Sequence, residues 1–157
     1  MSKTRAIDML TKAGLAFTVH SYAYDPGADS IGLHAAQSLS EPPERVLKTL
    51  MATVDGKPVC VIVPSDREVS MKKLAAAFGA KSAEMMRPAD AERITGYKVG
   101  GISPFGQKRR VPTAVEATAL DHALVYINAG QRGLQVRLAP QAARKLLQAI
   151  GASLVAN

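Results

Sequence analysis

The sequence predicts a mixed α/β protein, with a curved, barrel-like mixed sheet of about seven strands and helices around it. Three observations predict this. Strand-type alternation and helix-type periodicity follow each other along the whole chain instead of separating into halves. Some neighbouring strand signals are joined by tight turns, which requires antiparallel pairs, while others are separated by helices, which permits parallel ones. The 157 residues, 47% hydrophobic and 21% charged, suffice for one ordinary core, so residues 1–157 are expected to form a single domain. Aromatic residues are only 4% of the chain and Trp is absent, so that core must rest on Val, Ile, Leu, Ala and Met.

The elements follow in order. Ala6, Ile7, Leu10 and Ala13 share one face of a helix that Gly14 stops. Leu15, Phe17 and Val19 alternate as a strand does. Ser30 is placed to cap a short helix over IGLHAAQSL, and Pro42-Pro43 breaks the chain. RVLKTLMATVDGKPVCVIVPSD is the clearest hairpin, with Asp55-Gly56 as a type I′ turn between two β-rich runs. Ser70 caps MKKLAAAFG, KSAEMM reads as a strand, and Pro88 opens a helix that ends at Gly96. After the loop GGISPFGQKRR come the strands RVPTAVEATAL, ALVYINAG and LQVRLA. Pro140 begins a last helix with Ala143, Leu146, Leu147 and Ile150 as its stripe and Gly151 as its end. Four or five helices result.

Charge and missing motifs narrow the function. Twenty Lys and Arg against thirteen Asp and Glu leave a net +7, which favours a polyanionic partner. The lone Cys60 lies in an apolar run and reads as a buried thiol, in keeping with a reduced, cytoplasmic setting. No window has the length of a membrane span. Walker, dinucleotide and nucleophile-elbow signatures are absent. His20, His34 and His122 are isolated, without metal-ligand spacing. No metal, cofactor, membrane or DNA is therefore expected. Two features stand out instead. Lys48 is set among Val46, Leu47, Leu50 and Met51, where an ammonium needs an anion or a wet pocket, unless it merely guards a strand edge. Gly100, Gly101 and Gly106 lie in a loop whose backbone amides could cradle an oxygen, unless the loop is simply a turn.

RVLKTL, TGYKVGGISPFGQKRR and VYINAGQRGLQVRLAP, in this order, resemble the YbaK branch of the YbaK/EbsC family, related to the editing domain of bacterial prolyl-tRNA synthetase. The likeness spans nearly the whole chain. It implies a curved sheet around a pocket and trans-editing activity. The expected reaction is hydrolysis of cysteine esterified to tRNA(Pro), with Cys-tRNA(Cys) also open to attack. The expected partners are the 3′ CCA end of tRNA and, further off, prolyl-tRNA synthetase. By the same resemblance Lys48, Gly101 and Ser103 are the expected catalytic positions. Tyr22, Ile31, Thr49, Gly100, Ile102, Asn128 and Gln135 would line the substrate pocket. Charge placement suggests Lys108, Arg109, Arg110 and Arg132 as a rim for the tRNA end.

In cysteine-specific relatives the substrate thiol attacks its own ester, so no protein nucleophile is needed, which agrees with finding none here. Asn128-Ala129-Gly130 stands where relatives often have Ser-Gly-Gly. Gln135 replaces an acidic residue, and Ile31 stands near where relatives often have an aromatic. These departures put the preferred amino acid in question. Two alternatives stay open: a water-based deacylase for a small residue such as alanine, and a non-catalytic tRNA-binding module.

Overall fold

A computed structural model describes residues 3–25 and 31–157, the side chain of Ile31 excepted. The order of elements is α1 (Arg5–Lys12), β1 (Thr18–Ser21), α2 (Ile31–Ser38), β2 (Leu47–Val54), β3 (Lys57–Pro64), α3 (Met71–Ala77), β4 (Ala83–Met85), α4 (Pro88–Thr95), β5 (Thr113–Glu116), β6 (Val125–Gln131), β7 (Leu134–Leu138), α5 (Pro140–Leu147) and β8 (Ile150–Ala152). The local rules explain most boundaries. Thr4 caps α1 by accepting the Ile7 N–H, and Ser70 caps α3 by accepting that of Lys73. Gly96 ends α4 in the left-handed conformation that a residue without Cβ adopts freely. Ser30, the expected cap of α2, lies outside the described residues.

The mixed α/β class holds, but the barrel does not. The strands form two sheets, β1–β7–β6 and β4–β2–β3–β5–β8. The first is antiparallel throughout, while β5 runs parallel to both β3 and β8. Among the described residues a single parallel bridge, Val46 to Tyr126, joins the sheets. The eighth strand corrects the reading of the C-terminus. Helix α5 stops at Leu147 because Gln148 turns left-handed (φ 54°). Ile150 and Gly151, read as the end of that helix, instead form an edge strand on β5, and Ile150 is exposed. Ala13, assigned to the apolar face of α1, is its exposed C-cap.

The five-stranded sheet has core on both faces, which is why β3 reads as the unbroken run VCVIVP. On one face Leu47, Met51, Cys60 and Ile62 pack with α1 and with Val125, Ile127 and Val136 of the smaller sheet. On the other, Ala52, Val61 and Val63 pack with Leu74 of α3 and with Leu154 and Val155. No helix among the described residues is long and apolar enough to cross a membrane.

The C-terminal segment is held by a buried carboxylate. Glu116 is 2% exposed and accepts the N–H groups of Leu154 (2.8 Å) and Val155 (3.2 Å), together with both the N–H and the hydroxyl of Thr118. Burial alone would raise its pKa. These donors outweigh burial and hold the carboxyl below its usual value of 4.5. A lowered folded-state pKa adds stability above the unfolded value, and that stability fades as pH falls through the folded one. Glu116→Ala, which strands buried N–H groups, is expected to lower unfolding free energy by about 2–3 kcal/mol at pH 7 in a denaturant titration. The difference from wild type should shrink as the pH is taken below 4.5; a constant difference would exclude the carboxylate as its source.

Candidate functional site

The site begins with a hairpin. Asp55 and Gly56 both have positive φ (48° and 80°), as a two-residue I′ turn demands. This pins Val54 opposite Lys57, and the register runs back to Leu47 opposite Pro64. The Ser65 N–H donates to the Val46 carbonyl (3.0 Å). Even-numbered residues of β2 therefore bond to β3, and odd-numbered ones turn their backbone groups to the other edge. On that edge β4 pairs only with Ala52–Val54, and Met86 N–H reaches the Met51 carbonyl (3.1 Å). The Val46–Tyr126 bridge closes the opposite end. Among the described residues no strand pairs with the edge of β2 at Thr49.

A cavity of about 320 Å³ occupies this gap, within the usual range for a small-molecule site. Tyr22, Lys48, Thr49, Gly100, Ile102, Asn128 and Gln135 all line it, so seven residues named from the sequence are brought together. Among the described residues, three of them present buried polar atoms with no partner: Tyr22 Oη, Thr49 Oγ1 and Gln135 Oε1. Unpaired buried polar atoms destabilise a fold, and these three converge on one cavity. Burial pushes the Tyr22 phenol up, and the nearby Gln135 amide works against that shift, yet Tyr22 Oη closes no hydrogen bond of good geometry. Lys48 is one-fifth exposed, with Nζ 3.7 Å from the exposed Glu68 carboxylate. A pair this open to water contributes little stability.

Other assignments land elsewhere. The Gly101 N–H donates to the Lys98 carbonyl (2.8 Å), and Gly101 does not line the cavity. Its lack of a side chain serves close packing: a Cβ there would lie 2.8 Å from the Arg132 nitrogen. Ser103 is fully buried, its hydroxyl accepting the Phe105 N–H and its carbonyl the Gln107 amide. Tyr97 closes the same loop through its hydroxyl, 2.6 Å from the Phe105 carbonyl. The glycine-rich loop is thus bonded largely to itself. Asn128 braces it, accepting the Gly130 N–H (2.7 Å) and donating to the Gly100 carbonyl (3.3 Å). The side chain of Ile31 lies outside the described residues.

The proposed basic rim divides. Arg132 bonds the carbonyl of Val99, a cavity residue (2.9 Å). Lys108 and Arg109 bond through their backbones to Thr95 and Ile94 at the far end of α4, and Arg110 reaches Gln148 (2.8 Å). None of these four lines the cavity. Sequence reasoning missed the apolar wall formed by Met85, Met86, Pro88, Ala91 and Val99. Its one signal was a methionine pair just before Pro88, at the end of a strand. Among the described residues no Ser, Cys or His lines the cavity. Cys60 is fully buried, and burial pushes its thiol up to about 12. Among the described residues no group of three His, Cys, Asp or Glu is placed to hold a metal ion.

Residues 25–146 match the family model of the aminoacyl-tRNA editing domain. The chain belongs to that family. It is 37% identical over 145 residues to an Enterococcus faecalis protein named "Putative Cys-tRNA(Pro)/Cys-tRNA(Cys) deacylase EbsC", covering 89% of this chain and 85% of that one. It is 32% identical over 108 residues to a proline–tRNA ligase of Geobacillus kaustophilus, 69% of this chain but 18% of the ligase. The fold matches a crystal structure titled as "a putative trans-editing enzyme for prolyl tRNA synthetase", with a TM-score of 0.82, 18% identity and full coverage of both chains. At that identity the match supports the fold alone.

The unpartnered hydroxyl makes a stability prediction that is independent of activity. Thr49→Val keeps the shape and removes a buried orphan. It is expected to raise the thermal midpoint, by an amount on the order of 1 kcal/mol in unfolding free energy. Unfolding followed by circular dichroism would measure it; a lower midpoint would mean that the hydroxyl is bonded in the folded protein.

Proposed function

We propose that this protein is a trans-editing aminoacyl-tRNA deacylase that hydrolyses cysteine esterified to tRNA(Pro), and Cys-tRNA(Cys) as well. The family match and the name of the Enterococcus relative support the activity class. One observation supports the chemistry most: Tyr22, Thr49 and Gln135 hold polar atoms unpartnered among the described residues, in a cavity that Lys48 also lines and that, among those residues, no Ser, Cys or His lines. Such a site binds and polarises, and leaves the nucleophile to the substrate.

The thiol of the bound cysteine has an ordinary pKa of about 8.5, so only a small fraction is thiolate near neutrality, but thiolates are strong nucleophiles. Held against its own ester carbonyl, the sulfur attacks and the electron pair moves onto the carbonyl oxygen. Collapse of that oxyanion re-forms the carbonyl and expels the ribose 3′ oxygen, which takes up the proton that the thiol lost. Water then opens the cyclic thioester to free cysteine. Proximity gains in well-oriented intramolecular reactions reach about 10⁵ M or more. The strained four-membered ring lowers that here.

The oxyanion requires donors. Gly101, the donor first expected, already bonds Lys98. The unpaired edge of β2 replaces it in this proposal: the Thr49 hydroxyl and N–H face the developing charge, with the Lys48 ammonium beside them. Losing one donor of this type typically costs about 2.7–4 kcal/mol of barrier lowering. Gly101 and Ser103 then act by holding the loop that shapes the wall. The run Lys108, Arg109 and Arg110 would contact tRNA phosphates, Arg132 at the lip would meet the CCA end, and prolyl-tRNA synthetase would deliver the tRNA.

The test is an ester panel on tRNA(Pro). Cysteinyl ester should be cleaved at least roughly a hundredfold faster than seryl or alanyl ester, and cysteine should be recovered. Equal rates for all three would replace thiol assistance with attack by water. Binding without release of any amino acid would leave only an RNA-binding module. Lys48→Ala is expected to lower the rate about a hundredfold or more with unchanged circular dichroism; wild-type turnover would remove the ammonium from the chemistry. Affinity for tRNA should fall steeply with salt if the cations meet phosphates.

A further inference from the structure

Tyr24 was not among the expected site residues, and it does not line the cavity. Yet it stands at the lip. Its hydroxyl would lie 2.8 Å from a Cβ placed on Gly100, and that glycine, which has φ 90°, lines the cavity. The Arg132 guanidinium lies over the Tyr24 ring, 5.2 Å from its centroid. Arg132 Nε is fixed on the carbonyl of Val99, a large apolar residue that is 39% exposed and also lines the cavity. Arg132 is exposed and Tyr24 is half-buried. The lip therefore carries a flat cation with its orientation fixed, an aromatic ring and an apolar side chain.

We propose that Tyr24 and Arg132 form a stacking platform for a nucleobase, that of the terminal adenosine bearing the ester. This rests on the reading of the cavity as the ester site, and gives it a second subsite outside the reacting centre. The chemistry matches a base more closely than a phosphate alone. An aromatic ring and a guanidinium plane both stack on the faces of unpaired bases. A phosphate site needs only charge, which a lysine would supply without a fixed plane. The Val99 carbonyl holds the guanidinium by Nε and fixes its plane, so the stacking surface is ordered before the substrate arrives. The position also fits: the base adjoins the ribose whose 3′ oxygen carries the amino acid, so it must sit at the mouth when the ester is inside.

The experiment compares two cysteine esters on the full-length protein: 3′-O-cysteinyl adenosine and cysteine ethyl ester, which has no base. Wild type must cleave both; if it cleaves neither, the deacylase reading itself fails. Tyr24→Leu is expected to raise KM for the adenosine ester roughly tenfold or more, with kcat within about twofold, and to leave the ethyl ester unchanged. Tyr24→Phe keeps the ring and should restore the wild-type KM. Arg132→Lys keeps the charge and loses the plane, and should raise KM for the adenosine ester in the same selective way. Equal loss on both esters would overturn the proposal, because Tyr24 would then act only by supporting the Gly100 loop. Unchanged kinetics on both would overturn it equally.

Discussion

The architecture depends on the hydrogen-bond parity of one hairpin. The Asp55–Gly56 turn fixes which residues of β2 bond to β3, and so which face the opposite edge. A one-residue slip would exchange the two sets and would turn Lys48 and Thr49 to each other's faces. With the register in place, β4 is too short to cover more than Ala52–Val54, and β6 pairs with this part of the chain only through the Val46–Tyr126 bridge. The cavity is what remains. It results from incomplete pairing between two sheets, and three of its side-chain polar atoms have no partner among the described residues.

The glycine-rich segment supports this cavity from outside. Its glycines permit close approaches: Gly100 against Tyr24, Gly101 against the Arg132 backbone, Gly106 against Arg5. Ser103 and the Tyr97 hydroxyl bond within the segment, and the Gln107 amide bonds the Ser103 carbonyl as well as the sulfur atoms of Met51 and Cys60. Bonding of this kind suits a wall against which a small substrate must be held in one orientation. The groups left free for a ligand lie opposite, on β2, β7 and the residue after β1. Tyr22, Thr49 and Gln135 reduce the stability of the fold where they stand, a pattern found at sites organised for a ligand.

The two ends of β2 reach different parts of the molecule. Lys48 meets Glu68. The backbone carbonyl of Glu68 accepts the N–H of Ala156, while Glu116 holds Leu154 and Val155 next to it. A buried carboxylate at the end of β5 thus orders the C-terminal segment beside the partner of the cavity lysine. The basic run Lys108–Arg110, adjacent to the glycine loop in sequence, is tied to the C-terminal end of α4 and stays outside the cavity.

The sequence alone determined what depends on near neighbours along the chain. The I′ turn, the serine cap of α3, the glycine end of α4 and the buried Cys60 in its apolar run all follow from spacings of a few residues. The motif resemblance also named much of the cavity wall, including Tyr22, Lys48, Thr49 and Gln135. Tertiary structure decided the rest. Whether the strands closed into a barrel depended on pairing between distant edges, which no local pattern encodes. Ile150 and Gly151 read as helix end in sequence but belong to a strand, because Gln148 adopts a left-handed conformation that its residue type rarely takes; the segment beyond it pairs with β5. Whether the Gly101 amide or the Thr49 edge stays free likewise depends on which distant groups the fold brings within reach. A hydrogen bond is fixed by three-dimensional distance and angle, and leaves no mark in the order of residues.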